Sequence, residues 1–341
     1  MKLSKKAKIA RMVVGDLLLL GAALCVFSYF HHVRVKPPQP QQISKPHASV
    51  SENTATPEPT QDAEPSKGPE MPAETPEPTG LLMGQYADKF SKATIQEEQG
   101  YRSENVSVEL LTEEMYDSIV HIADIYVKDI TSLRTAVYND YSKKYMHTLD
   151  MANAAGAIVA ISGDHFYAHI QAGVFAIRNG QLYAEKPNKK QDACVLYYDG
   201  AMEVYKADEI DLDAIYARDP YQLWYFGPGL LDEDGSAIQE FKSTVRGENP
   251  RSAIGYYEPG HYCFVMVEGR TKDSDGVTLP QLAQIFEDLG CKTAYNLDGG
   301  KTSVMTYNGK LVSKLIGSGR EVSDIVYIAE PIGKTDAAAQ E

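Results

Sequence analysis

Tyr262-Cys-Phe-Val-Met-Val-Glu-Gly-Arg270, Thr278-Leu-Pro-Gln-Leu-Ala-Gln-Ile-Phe-Glu-Asp-Leu-Gly290 and Cys291-Lys-Thr-Ala-Tyr-Asn-Leu-Asp-Gly-Gly300 follow one another in the chain. Together they read as strand, helix, strand. The first piece opens on a buried-type apolar run. In the second, Thr278 and Gln281 stand three apart as a capping box, with Pro280 in the first turn, where its missing N–H does no harm. Leu282, Ile285, Phe286 and Leu289 then recur at i, i+3, i+4 and i+7, an apolar stripe for a helix lying on a sheet. Gly290 supplies the stop. The third piece returns as a strand ending in Asp298-Gly299-Gly300. If the two strands are parallel, Glu268, Arg270 and Asp298 emerge at one edge of the sheet, where α/β ligand sites tend to lie.

Two earlier stretches point the same way. Ala157–Ile161 is an apolar strand running into Ser162-Gly163-Asp164-His165-Phe166, where glycine permits a tight turn and the acid and histidine follow at a strand end. Asn249-Pro250-Arg251-Ser252-Ala253-Ile254-Gly255 presents an arginine at a strand start behind a rigid proline. A planar guanidinium suits two-point contact with phosphate or carboxylate. Further strands are expected at 106–111, 119–127, 174–177, 194–198, 252–255 and 262–267 from alternation and β-branching. Asn179-Gly180, Asp199-Gly200 and Asn308-Gly309 read as hairpin turns. The expected class is α/β, mixed α and β: a central mixed sheet with flanking helices and a β-α-β unit at 262–297.

Seven motifs, in order and spacing, resemble the phosphodiester glycosidase family: AISGDHF (160–166), YFGPGLLDEDG (225–235), NPRSAIG (249–255), VEGR (267–270), TLPQLAQIFEDLGC (278–291), AYNLDGGKTSVM (294–305) and GREVSDIVYI (319–328). This is the family of the uncovering enzyme, an N-acetylglucosamine-1-phosphodiester α-N-acetylglucosaminidase, and its bacterial members are often labelled exopolysaccharide-biosynthesis proteins. The chain departs from the family pattern at Ser162 (usually Asn), Glu268 (usually Asp) and Lys301-Thr302 (usually Gly-Ser).

The resemblance implies hydrolysis of a sugar-1-phosphodiester at the anomeric C–O bond. Glycoside hydrolysis commonly uses two carboxylates around an oxocarbenium-like transition state. A departing phosphomonoester is a stabilised anion that needs little protonation. The roles expected are catalytic for Asp298, Asp164 and Arg251, with Arg251 on the phosphate, Asp298 at the anomeric centre or its attacking water, and Asp164 as second carboxylate. Substrate contacts are expected from Asn296, Gly299, Gly300, His165, Ser252, Glu268, Arg270, Thr302 and Arg320. Each has a plainer reading. Asp298-Gly299 is also a turn, Arg251 and Arg320 also suit ion pairs, and Glu268 with Arg270 also braces a strand end. Tyr221, Trp224 and Tyr225 fit either a sugar platform or the core. His121, His147, His169 and His261 lack ligand spacing and read as structural. No cofactor or metal is expected, although carboxylates and a phosphate in one pocket leave room for a divalent ion. The alternatives are a phosphoglycan-binding module that does not cleave and an exopolysaccharide assembly scaffold.

Outside this domain the chain changes character. Residues 12–30 are apolar except for Asp16, long enough to cross a hydrocarbon core of about 30 Å. Lys2, Lys5, Lys6, Lys8 and Arg11 precede that run, so the positive-inside rule places the amino terminus in the cytoplasm. A cleaved signal peptide is the rival, but the run is long and no small-x-small site follows it. Eleven of the 18 prolines fall between Lys36 and Gly80, among Glu, Thr, Gln and Ser, which marks an extended spacer. The expected organisation is a basic cytoplasmic tail (1–11), a single-pass anchor (12–30), a linker (31–80), an extracellular domain (81–331, core 101–331) and a short tail (332–341).

Charge follows the same division. The net −14 combines a head carrying seven basic residues against Asp16 with a remainder holding 26 basic and 46 acidic residues. An acidic body excludes general nucleic-acid binding. The partners expected are therefore a phosphorylated glycan and the membrane. Cys25 lies in the apolar run, leaving Cys194, Cys263 and Cys291. A Cys263–Cys291 bond requires neighbouring strands in register, and three free buried thiols satisfy the sequence equally.

Overall fold

The computed structural model describes residues 81, 85–139, 145–164, 176–184, 190–243 and 245–331. The expected anchor, linker and tail, and His165 and His169, lie outside these residues. Among the described residues, no helix is long and apolar enough to cross a membrane.

Among the described residues, three sheets share one core. The first orders β1 (Ile95–Gln96), β2 (Gly100–Arg102), β3 (Val106–Met115), β4 (Ser118–Val127), β13 (His261–Val267), β12 (Arg251–Glu258) and β14 (Thr293–Asn296). The second orders β10 (Met202–Tyr205), β9 (Ala193–Tyr197), β11 (Pro220–Trp224), β7 (Ala176–Arg178) and β8 (Gln181–Ala184). The third orders β16 (Lys310–Leu311), β15 (Met305–Tyr307), β6 (Val159–Ser162), β17 (Asp324–Ile328) and β5 (Leu133–Val137). Ile125, Phe264 and Tyr295 of the first sheet meet Leu196 and Trp224 of the second and Ile161 and Val326 of the third in a single buried cluster. Among the described residues, each sheet carries one α-helix on its other face. Helix α3 (Leu279–Asp288) packs on the first, α2 (Leu212–Tyr216) on the second and α1 (Thr148–Ala154) on the third.

Local signals account for the pieces. The capping box at α3 forms, with Gln281 N–H donating to Thr278 Oγ1 (3.3 Å) and Thr278 N–H to Gln281 Oε1 (2.8 Å). Leu282, Ala283, Ile285 and Phe286 are buried, and Gly290 adopts the left-handed conformation (φ 79°) that ends the helix. The three expected hairpin turns join β7 to β8, β9 to β10, and β15 to β16. Asn179 and Asn308, with the glycines after them, have positive φ, as type I′ turns require.

The sheet architecture corrects the expectation. The molecule is dominated by sheet, and every strand pairing among the described residues is antiparallel rather than mixed. β13 and β14 do run parallel to each other, but β12 lies between them and is antiparallel to both. The anticipated crossover therefore passes over an inserted strand. Gly255 makes room for it. A Cβ there would lie 2.7 Å from Cys263 Sγ and from Phe286, and 2.8 Å from Cys291 Sγ. Across that gap the two thiols stand 3.7 Å apart, and all three domain cysteines are free and buried.

Candidate functional site

With β12 antiparallel to both neighbours, its beginning lies beside their ends. Arg251 is opposite Val267, and Ala253 is opposite Asn296. The Glu268 and Asp298 turns thus emerge at one edge, as the parallel reading required. The third sheet is sewn to the same edge. Asp298 N–H donates to Gly163 O (3.0 Å), and Ser162 Oγ lies 2.8 Å from Ser252 Oγ and 3.1 Å from Asp298 O. The second sheet joins through Tyr225 N–H, which donates to Asp164. The edge is a junction of all three sheets.

Asp298 is partly exposed there. Burial pushes its carboxyl up to about 6, and Asp324's negative charge adds to the rise. The Thr302 hydroxyl, Arg320's charge and the Gly299 N–H oppose it. Such a carboxyl changes protonation near neutrality, which suits a proton-handling group. Thr302 is buried and its hydroxyl donates to Gly299 O (2.6 Å), which fixes the turn behind Asp298. Arg270, Lys301 and Arg320 are exposed, and the Arg270 guanidinium lies against Gly300 in the turn after Asp298.

Other expected residues serve different ends. Asp164, expected as the second carboxylate, is 2% exposed and committed to protein partners: the Tyr225 N–H and Arg178 Nη2 (2.7 Å). Arg178 is fully buried and also reaches Asp324 (3.3 Å), so one guanidinium holds two interior carboxylates from two chain segments. Gly300 N–H donates to Pro250 O (2.9 Å), and Gly299 N–H acts on Asp298. Expected as donors to substrate, these two amides have protein acceptors in this structure. Glycine is needed here for close approach instead, because a Cβ on Gly299 would stand 2.8 Å from Pro250 O. Ser252 is buried behind Asp298 in the Ser162 contact. Asn296 is buried, with Nδ2 donating to Gly227 O (2.8 Å) and Oδ1 without a partner among the described residues. Tyr221, Trp224 and Tyr225 are core residues.

Arg251 is 3% exposed and turns toward the α3 side of the sheet. Its Nε donates to Val277 O (3.1 Å) and its Nη2 to Val245 O (2.7 Å) and Gly247 O (2.6 Å). Glu268 is buried; its Oε1 meets His121 Nε2 (2.8 Å) and accepts from Lys314 N–H (2.8 Å). It therefore braces the loop that leads to Arg320. His121, read as merely structural, is the partner that fixes Glu268, and its Nδ1 contacts Thr112 Oγ1 (3.1 Å). No cluster of three or more metal-type ligands occurs among the described residues.

Arg178 and Asp324 were missed as parts of the site. Asp324 lies inside the GREVSD motif, so a signal exists for it; Arg178 has none beyond its place before the Asn179-Gly180 turn. Asn249 has no sequence signal beyond its place in the NPRSAIG motif.

A family model described as phosphodiester glycosidase matches residues 155–329. The SPbeta prophage-derived protein YomE of Bacillus subtilis (strain 168) is 28% identical over 195 residues, 55% of this chain. The chain spans only 30% of that relative's length. Among solved structures, the fold is similar to the catalytic domain of zebrafish N-acetylglucosamine-1-phosphodiester α-N-acetylglucosaminidase, auto-inhibited by its pro-peptide. That match has a TM-score of 0.54 at 20% identity and covers 70% of this chain and 88% of the other. A hypothetical protein from Synechocystis matches with a TM-score of 0.52 at 14% identity, covering 66% and 62%.

Proposed function

Because the chain belongs to the phosphodiester glycosidase family, we propose that it is a hydrolase that cleaves the anomeric bond of a sugar-1-phosphodiester, releasing free sugar and a phosphomonoester. The observation that carries this reading is Asp298, a carboxyl held near pKa 6 at the junction of three sheets, with the charge of the exposed Arg320 acting on it. In its ionised form it activates the water that attacks the anomeric carbon. The leaving group departs as an anion, so the cations at the rim replace the general acid an ordinary glycosidase needs. Asp164 then has a positioning role: with Arg178 it fixes the junction that presents Asp298. This arrangement favours catalysis over the binding-module and scaffold readings, since binding alone has no need of a perturbed carboxyl.

The test is the pH dependence of sugar release from a glucose- or N-acetylglucosamine-1-phosphodiester. As the active form is the carboxylate, kcat/KM should fall with unit slope below a pKa of about 6 and stay level toward pH 8. Activity that instead rises into acid would make Asp298 the proton donor, and no sugar release at any pH would remove the assignment.

We also propose that residues 12–30 anchor the enzyme in the membrane, with the proline-rich segment holding the domain outside near exported or cell-surface glycans. Full-length protein should then stay in the membrane pellet after alkaline carbonate washing, and protease added to intact cells should cut within 36–80. Recovery in the wash would exclude the anchor.

A further inference from the structure

Asn249 joins two arginines. Its Nδ2 donates to Gly247 O (2.9 Å), the same carbonyl that accepts from Arg251 Nη2, and its Oδ1 accepts from Arg270 Nη2. The two guanidinium groups therefore stand at opposite ends of one short amide. None of the ion pairs among the described residues involves either arginine. Arg251 directs its Nε and Nη2 to carbonyls, which leaves Nη1 without a partner among the described residues. Arg270 is exposed and adopts φ 57°, a left-handed conformation unfavourable by about 1 kcal/mol for a residue other than glycine. A Cβ on Gly300 would lie 3.5 Å from its Nη1, so the guanidinium covers the turn that follows Asp298.

The pairing is unfavourable as it stands. Burial pulls Arg251 down to about 10, and Arg270's like charge adds to the fall. A strained residue and two cations without an acidic partner, one of them covering the turn that follows Asp298, form a site organised for an anion. The number of charges indicates which one. A phosphodiester carries one negative charge, whereas a phosphomonoester carries two above its second pKa of about 6.

We propose that Arg251, Asn249 and Arg270 form a subsite selective for a dianionic phosphomonoester, which therefore holds the reaction's phosphate product more tightly than its substrate. This rests on the hydrolase reading above. When the anomeric C–O bond breaks, its electron pair leaves with the phosphate oxygen, turning monoanion into dianion. Water supplies oxygen to the anomeric carbon, and its released proton passes to Asp298 and then to solvent. The two cations thus bind most strongly as the second charge develops, which favours the transition state over the ground state. The same preference makes the enzyme subject to inhibition by its own product.

Calorimetric titration of the full-length protein at pH 8 with methyl phosphate, a dianion there, and dimethyl phosphate, a monoanion, tests the subsite without turnover. Methyl phosphate should bind about tenfold tighter or more. Arg270→Gln should bring the two affinities to within about twofold without lowering the unfolding midpoint, followed by the single tryptophan, Trp224. Equal affinities in the wild type, no binding of either ligand at millimolar concentration, or a preference that survives Arg270→Gln would each overturn the proposal. A tenfold preference in a protein that hydrolyses no sugar phosphodiester would sink the hydrolase reading and leave the subsite standing.

Discussion

Replacing Asp298 with Asn is expected to lower sugar release by about 10³-fold or more, and at the same time to make the protein harder to unfold above pH 7. The first effect is the loss of the group that activates the attacking water, a contribution commonly of about 10² to 10⁴. The second comes from its titration. The folded-state value of about 6 lies above the unfolded value of about 3.9, so the fold favours the protonated acid. That contribution is fully present below about pH 4 and is lost as pH rises through 6, when a carboxylate must be held against burial. Asn imitates the neutral form at every pH. The variant should therefore gain about 1–3 kcal/mol at pH 8, discounted for the partial exposure of the carboxyl, and nothing at pH 4. Urea unfolding at the two pH values, read from Trp224 fluorescence, measures it. Turnover within tenfold of wild type would remove Asp298 from the chemistry. Equal stability at both pH values would remove the raised pKa.

The second large effect lies beneath the site. Arg178→Met should destabilise the fold by about 3–5 kcal/mol, because it leaves Asp164 and Asp324 buried without their shared cation. Adding Asp164→Asn and Asp324→Asn should recover most of that loss, since the penalty arises from the stranded charges rather than from the missing pair. The measurement is the urea midpoint of the single and triple variants. A single variant that unfolds like wild type would show that Arg178 is dispensable. A triple variant as unstable as the single would place the loss in packing instead. If Asp164 only positions the junction, the triple variant should also keep measurable sugar release, which a reacting carboxylate would not allow.

Much of the local structure was legible because it depends on neighbours in sequence. The capping box at Thr278, the apolar stripe from Leu282 to Leu289 and the Gly290 stop involve groups within a few residues of one another, and so do the Asn-Gly turns. The site's edge was legible for a related reason. A helix of known length joining two strands returns the chain in the same direction, which sends Glu268 and Asp298 to the same end whatever lies between. The strand inserted between them was not legible, because nothing local to 251–258 states its neighbours. Gly255 permits the insertion only by accommodating Cys263, Phe286 and Cys291, which come from other elements.

The same division runs through the side chains. By itself the sequence determined the family, the helix and turn positions, and Asp298 as a carboxyl at a strand end. Tertiary structure alone decided which charged groups face solvent and which pair inside. Asp164 and Asp298 look equivalent as Gly-Asp and Asp-Gly in two loops. One meets Arg178 in the interior, and the other is left at the rim with Arg320's charge and a raised pKa. Burial and pairing fix the protonation energy of a carboxyl, and both depend on residues remote in the chain.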